Sequence, residues 1–325
     1  MLGRNHNLFL WGATKLEVPV KILVTGGAGF IASHIVDAYV AAGHEVVVLD
    51  NLSTGKRENV NPKARLVVMD ILDDGLNAFL EKEKPEVVNH HAAQINVKVS
   101  LDDPAKDVRT NIEGTIRLLD ACRRHSVRRF VFASSGGAMY GEVPEAPASE
   151  NTAAKALSVY GVDKYSAELY AAVFSRTFGL EYVALRYANV CGPRQDPFGE
   201  GGVVSIFTEG MLQGRDLTIF GDGETVRDFV YVKDIAAANI AALSGPAGEA
   251  FNIGTGKATT LNGLYRTLAG ITGYAKPPRY GPERLGDIRR SLLDSAKAER
   301  LLGWKPRYDL ASGLKETVEF FKKIG

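Results

Sequence analysis

The sequence predicts an α/β protein, a doubly wound parallel sheet followed by a smaller C-terminal lobe. Short, near-continuous β-branched runs alternate with amphipathic segments, the pattern of strands buried on both faces under covering helices. The chemistry-bearing residues gather just after those runs, where open parallel sheets bind ligands. Beyond about Pro193 the alternation fails, and glycine and proline become frequent in "GPRQDPFGEGG", "GDGET", "SGPAG" and "KPPRYGPERLGD".

Residues 1–19 hold a short apolar patch, "LFLW", without a sustained apolar h-region, and read as an N-terminal tail. "VKILVTG" is the first strand, and "FIASHIVDAYVAAG" has helical spacing of its apolar positions. "HEVVVLD" and "RLVVMD" are the second and third strands, each ending in an aspartate. "PEVVNHHAA" is the fourth, and a helix-like segment runs from about Pro104 to Ser126. "RRFVFASS" is the fifth strand, the helix carrying "YGVDK" comes next, and "LEYVALRYANV" is one more strand. "EAFNIGTG" reads as a strand returning to the first lobe. The expected division is a dinucleotide-binding domain over 20–188, with a return near 230–256, and a substrate-binding lobe over 189–325.

Composition bounds the function classes. With 325 residues, 45% of them hydrophobic and 24% charged, the chain reads as soluble and globular. A net charge of +1 gives no global field for nucleic acid or an anionic membrane, so anionic ligands must be held by a few placed cations. Two cysteines, Cys122 and Cys191, make no disulfide framework and point to a reducing, cytoplasmic setting. No apolar run approaches membrane-spanning length. No metal site is apparent. His90 and His91, adjacent in a strand, should point to opposite faces as packing or cofactor-lining groups.

"TGGAGFIASH" lies between the first strand and the first helix. Gly26 and Gly29 there allow a tight turn and close approach of the backbone to a pyrophosphate on the helix N-terminus, the dinucleotide arrangement of a Rossmann fold. Ala32 stands where a third glycine is usual. Asp50 ends the second strand, where an acid binds the adenosine ribose diol and repels a 2′-phosphate, so NAD is favoured over NADP. Lys56 and Arg57 nearby soften that preference. Asp70, at the end of the third strand, is placed for the adenine amine or for a simple cap.

"YGVDK" sets Tyr160 and Lys164 on one face of a helix. With 12 tyrosines in the chain such a pair arises by chance, and only its setting gives it meaning. That setting is a series of motifs in order: "TGGAGFIASH", "VVVLDNLSTGK", "NIEGT", "SSGGAMYG", "YGVDKYSAE", "LRYANVCGPRQ", "GDGETVRDFVYVKD", "FNIGTG" and "RLGDIRRSLLDSAKAERLLGWKP". From Lys21 to the C-terminus the chain resembles the extended short-chain dehydrogenase/reductase family, and within it the nucleotide-sugar 4-epimerases of the UDP-glucose 4-epimerase type.

The resemblance implies an isomerase with bound NAD that interconverts UDP-glucose and UDP-galactose through a transient 4-keto sugar. It makes Tyr160 the catalytic acid–base, Lys164 its tuner and a ligand of the nicotinamide ribose, and Ser135 a hydroxyl passing a proton between sugar and phenol. Physical chemistry agrees: a shift of roughly three units, about 4 kcal/mol, is needed to bring a phenol into a useful range, and a neighbouring ammonium favours it. It implies further cofactor contacts from Phe30 and Ile31, from Asn51, Ser53, Thr54 and Gly55, and from Ile71 beside Asp70. Ala92, Ala93, Gln94, Asn111 and Ala188 complete that set. Asn189, Arg227 and Arg284 would hold the diphosphate, Asp287 the nucleotide ribose, and Thr218 to Phe220 the uracil; Val203 and Ser291 line the same site. Guanidinium suits bidentate phosphate contacts.

Where a 4,6-dehydratase of the family carries an Asp–Glu pair, this chain has Gly136 and Gly137, which cannot supply acid–base chemistry. The small Ser291, where some relatives carry a bulky tyrosine, leaves room for 2-acetamido sugars. A uronate epimerase, decarboxylase or reductase on the same scaffold, and a non-catalytic NAD-binding module, are the alternatives. A homodimer paired through the helices around 104–126 and 160–179 is expected from the resemblance.

Overall fold

A computed structural model describes residues 19–143, 147–197, 202–283 and 288–324. Strands β1 (Lys21–Thr25), β2 (Glu45–Asp50), β3 (Arg65–Val68), β4 (Val87–His90), β5 (Arg129–Ser135) and β6 (Glu181–Tyr187) follow the β-branched runs. Helices α1 (Phe30–Ala41), α2 (Leu76–Glu83), α3 (Val97–Asp102), α4 (Pro104–Val108), α5 (Gly114–Arg124), α6 (Gly136–Met139) and α7 (Val159–Phe178) connect them.

Beyond β6 come β7 (Asn189–Cys191), β8 (Thr218–Phe220), β9 (Val226–Tyr231), β10 (Glu249–Ile253), β11 (Ala258–Thr260), β12 (Arg279–Gly281) and β13 (Arg290–Ser291). The helices there are α8 (Val203–Leu212), α9 (Val232–Ala242), α10 (Leu261–Thr272), α11 (Ala296–Leu302) and α12 (Leu310–Ile324).

The main sheet has seven parallel strands in the order β10-β6-β5-β4-β1-β2-β3. The chain builds outward from β1 to β3, then crosses back to β4 on the other side of β1. That reversal opens a crevice beyond the carboxyl ends of β1 and β4, the place where such sheets bind ligands. One core packs α1 and α9 on one face of the sheet; a second packs α2, α5 and α7 on the other. Near-continuous apolar strands are what a sheet covered on both faces requires. A third apolar cluster gathers α8, α10 and α12. The short strands β7, β9, β11 and β13 make a second sheet, and β8 pairs with β12.

Helix α7 shows its ends in its sequence. Ser158 accepts a hydrogen bond from the Gly161 amide at 3.1 Å as N-cap, and Gly179 closes the helix with a left-handed φ of 74°. Gly161 is required for a second reason. A Cβ there would stand 2.7 Å from the Ala138 carbonyl, so α7 could not lie against α6.

Three local readings differ from the sequence expectation. "LEYVALRYANV" is two strands, because at Ala188 the amide bonds the Ile253 carbonyl and β7 then turns away to pair with β9. β3 stops at Val68, leaving Asp70 in the following turn. The helix from Pro104 is interrupted by a π-helical turn over Arg109–Glu113, and α3 precedes it, capped by Asn96. Apolar spacing carries no information about a change of sheet or one extra residue in a helical turn.

A buried ion pair ties α7 to β6. Arg186 donates to both Glu168 oxygens and to the Tyr140 hydroxyl, which in turn donates to Asn252 on β10. Removing one member of such a pair strands a buried charge. Glu168→Ala is therefore expected to lower unfolding free energy by about 3–5 kcal/mol in urea titrations, and Arg186→Met, which leaves Glu168 unpaired, by a similar amount.

Candidate functional site

The turn after β1 is shaped to receive a phosphate group. Gly26 has a φ of 70°, and a Cβ there would lie 2.6 Å from the Ala92 amide nitrogen. The Gly29 amide donates to the Gly26 carbonyl, and α1 begins at Phe30 with no side-chain cap and no acid in its first turn. The first-turn amides, including those of Phe30 and Ile31, have no intrahelical acceptor and face the crevice end of the sheet, as an anion needs. Ala32 is buried in the adjoining core, so the alanine in the third glycine position is accommodated.

Asp50 accepts one amide on each oxygen, Ala28 at 3.0 Å and Leu52 at 2.8 Å. Each carboxylate oxygen keeps a second acceptor position, which matches the two hydroxyls of a ribose diol. Gly55 must lack a side chain, because its Cβ would stand 2.8 Å from Asp50 Oδ1. Asn51 donates to Asp70 at 2.7 Å and accepts from the Ser53 amide, so the two acids and the exposed loop carrying Ser53 and Thr54 form one rim. The Ile71 side chain is buried against Gly114 in the core, so its backbone is the part open to a ligand.

Across the crevice, Ala92 donates to Thr25 Oγ1, and Ala93 and Gln94 follow. The Asn111 side chain clamps this segment, accepting from the Gln94 amide at 2.9 Å and donating to its carbonyl at 2.8 Å. Asn111 sits in the π turn, whose extra residue re-aims its side chain; such turns recur at functional sites. The buried Ser134 hydroxyl has no hydrogen-bond partner among the described residues, and the half-buried Ser135 beside it ends β5. An orphaned buried hydroxyl at this strand end, uncapped amides and a diol-matched carboxylate together fit NAD. His90 and His91 do point opposite ways: His90 sits between Thr25 and Thr115, His91 stacks on Tyr187 and bonds its hydroxyl. Burial pushes both imidazoles well down, His91 to about 3, so both are neutral.

Tyr160 is half-buried in the first turn of α7, and its amide donates to Ser100 Oγ. Lys164, one turn on, is buried: its Nζ donates to the Ala133 carbonyl at 2.9 Å, lies 4.9 Å from the Phe132 ring and 5.9 Å from the Tyr160 ring. The spacing in "YGVDK" thus does put both side chains on one face, directed at the end of β5. Burial pushes the Lys164 ammonium down to about 8, while Asp107, Glu168 and Asp163 pull it back up. Asp107 and Asp163 escaped the sequence reading. The one available signal was an acid directly before the lysine.

Three of the residues expected on the substrate side, Asn189, Arg227 and Ser291, lie on the second sheet. Arg227 is opposite Ser291 on β13 and Thr259 on β11, while Asn189 on β7 pairs with Phe229 on β9. The Arg227 guanidinium donates to the Ile288 carbonyl. Asn189 also faces α6, just beyond β5: a Cβ on Gly137 would be 3.7 Å from its Oδ1. Ala188 is buried at the junction between the sheets. Val203 opens α8, and Thr218 and Phe220 lie on β8, exposed, beside β12. Arg284 and Asp287 lie outside the described residues. Among the described residues no group of three His, Cys, Asp or Glu side chains is placed to hold a metal ion, and no helix is long and apolar enough to cross a membrane.

The lowered Lys164 value sets a stability dependence. Because Lys164 binds its proton less readily in the fold than in the unfolded chain, unfolding takes up protons between about 8 and the ordinary 10.5, and the folded state gains as pH rises through that window. Lys164→Met is expected to stabilise the cofactor-free protein at neutral pH by about 3 kcal/mol, with the difference vanishing above the upper limit. Denaturant titrations across pH measure it.

The profile of the NAD dependent epimerase/dehydratase family matches residues 22–254. The UDP-glucose 4-epimerase of Mycolicibacterium smegmatis is 46% identical over 93% of this chain and 99% of its own. Among solved structures, the Thermotoga maritima UDP-glucose 4-epimerase with UDP-glucose superposes with a TM-score of 0.92 at 51% identity, covering 94% of this chain and 99% of that one. The Thermus thermophilus UDP-glucose 4-epimerase complex with NAD gives 0.89 at 44% identity, covering 93% and 99%. Matched from the glycine turn to the returning strand, the chain belongs to the NAD dependent epimerase/dehydratase family.

Proposed function

We propose that this protein is a nucleotide-sugar 4-epimerase that interconverts UDP-glucose and UDP-galactose using bound NAD. The observation that carries the reading is the buried Lys164 ammonium set against Tyr160 at the end of the strand that presents Ser135. The relatives at high identity and near-complete mutual coverage are described as UDP-glucose 4-epimerases, and one holds UDP-glucose.

Phe30 and Ile31 would hold the diphosphate of NAD by their amides, at the turn that Gly26 and Gly29 shape, and Asp50, with Asn51 and Asp70 behind it, would hold the adenosine ribose. When bound, NAD supplies hydride acceptance and return at the sugar carbon. Tyr160 takes the proton of the sugar C4 hydroxyl and returns it once the opposite face is presented, with the Ser135 hydroxyl bridging sugar and phenol. Lys164 favours the phenolate by proximity and supplies no proton of its own. Arg227 and Asn189 retain the diphosphate end while the sugar turns, since both lie on the sheet that leaves the main one at Ala188. In this reading residues 20–188, with β10 returned to the sheet, form the cofactor lobe and the remainder the substrate lobe.

Dehydration fails on chemistry, since Gly136 and Gly137 supply no acid. A side chain at Gly136 would also have to displace Leu293, whose Cδ1 stands 2.7 Å from a Cβ placed there. The buried Ser291 favours acceptance of 2-acetamido sugars. No turnover of UDP-N-acetylglucosamine alongside good turnover of UDP-galactose overturns that extension.

The chain is proposed to act as a cytoplasmic homodimer. Both cysteines are buried and unpaired, and α7 exposes Val162, Leu169, Tyr170 and Val173 beside exposed Leu101 and Val108. Such an apolar stripe suits a second copy. Leu169→Glu should give monomers in sedimentation velocity.

Incubation with UDP-glucose and NMR of the products tests the activity, with UDP-galactose formed and no net change in reduced nicotinamide. Tyr160→Phe should lower kcat by about 10²–10⁴-fold. Activity should decline as pH rises through about 8, where Lys164 loses its charge. Normal turnover by Tyr160→Phe rejects the assignment.

A further inference from the structure

Two acids outside this mechanism face each other beside Lys164. Asp107 ends α4 and Asp163 precedes Lys164 on α7, and both are buried, at 0% and 4% exposure. Asp107 accepts the Gln94 side-chain amide on one oxygen and the Asn111 amide, at 3.2 Å, on the other. Both contacts need it as an acceptor, the role of a carboxylate. The Asp163 carboxyl meets the Asp107 carboxyl side chain to side chain, while its Oδ2, as an acceptor, has no donor among the described residues.

Two charges at hydrogen-bond separation repel by roughly 5 kcal/mol even at an effective dielectric of about 20, so one proton stays. Placed on Asp163, that proton can be donated to Asp107, which is then left as the acceptor its two amide donors need. Burial and the Asp107 charge hold the Asp163 carboxyl well above the usual carboxylate range, with Lys164 opposing.

We propose that Asp107 and Asp163 act as one singly charged, proton-sharing pair that positions the Lys164 ammonium. The inference rests on the reading of Lys164 as an active-site cation. The charged groups facing that ammonium are few. From α7 come Asp163, Glu168 and the Tyr160 phenol, from α4 Asp107, and from the end of β4 the neutral His90 and His91. Glu168 is committed to Arg186. The pair therefore supplies the one negative charge not already matched, and it joins the π turn and the Gln94 loop to α7 through Asn111. These are positioning residues. Neither is assigned a contact with substrate.

The test has two readouts. Infrared difference spectra of the purified protein at neutral pH, parent minus Asp163→Asn, should show the C=O band of a protonated carboxyl, shifted in deuterium oxide. The pH profile of kcat should keep its alkaline limb in either single variant, Asp107→Asn or Asp163→Asn, because the remaining carboxyl then carries the charge, while the double variant displaces that limb downward by about one pH unit. No parent-specific band, or an unmoved limb in the double variant, overturns the proposal. The spectra require no turnover, so loss of the epimerase reading and loss of the pair are told apart: the first leaves the band in place.

Discussion

The fold is organised around keeping a cation where a cation is costly. Lys164 is enclosed by the Phe132 ring, the Ala133 carbonyl and the buried face of α7. Desolvation is its largest perturbation, and three carboxyl groups oppose it. Each has its own restraint: Glu168 is gripped by Arg186, Asp107 by two amides, and Asp163 by Asp107. Burial is what makes the arrangement effective, because an ammonium in water would be screened from a phenol one turn away.

The same restraints orient the crevice. Arg186 lies on β6 and reaches Tyr140, which bonds Asn252 on β10, so the edge of the sheet is pinned to the helix that carries Tyr160. Asn111 pins the loop after β4 to the π turn. Between them lie β4 and β5, whose carboxyl ends present the histidines and serines. The position of each polar group at the site is thus fixed from the protein side.

Much of this was legible in the sequence, and the exceptions share a cause. The main-sheet strands, the glycine turn and the return of "EAFNIGTG" to the sheet follow from local pattern, and β10 pairs with β6 as that reading requires. Tyr160 and Lys164 were legible because a four-residue interval has a fixed meaning on a helix. The split at Ala188, the π turn at Arg109–Glu113 and the end of β3 before Asp70 are events of one or two residues. They depend on partners distant in sequence. Asp107 and Asp163 are 56 residues apart, their numbers differing by that amount, and neither belongs to a pattern until α4 and α7 pack together.

The second sheet is built differently from the first. Its strands β7, β9, β11 and β13 are two to six residues long and contribute Asn189, Arg227 and Ser291 from separate segments. Short strands joined by glycine-rich connections tolerate replacement at one position without disturbing the large sheet, whose pairing is independent of them. Cofactor chemistry needs a fixed distance between phenol, ammonium and nicotinamide, and it is built on long buried strands and a twenty-residue helix. Sugar recognition needs only a pocket of suitable size held on the diphosphate, and it is built on the short ones. The division of labour follows from stiffness: precision is placed where burial enforces it, and variation where it does not.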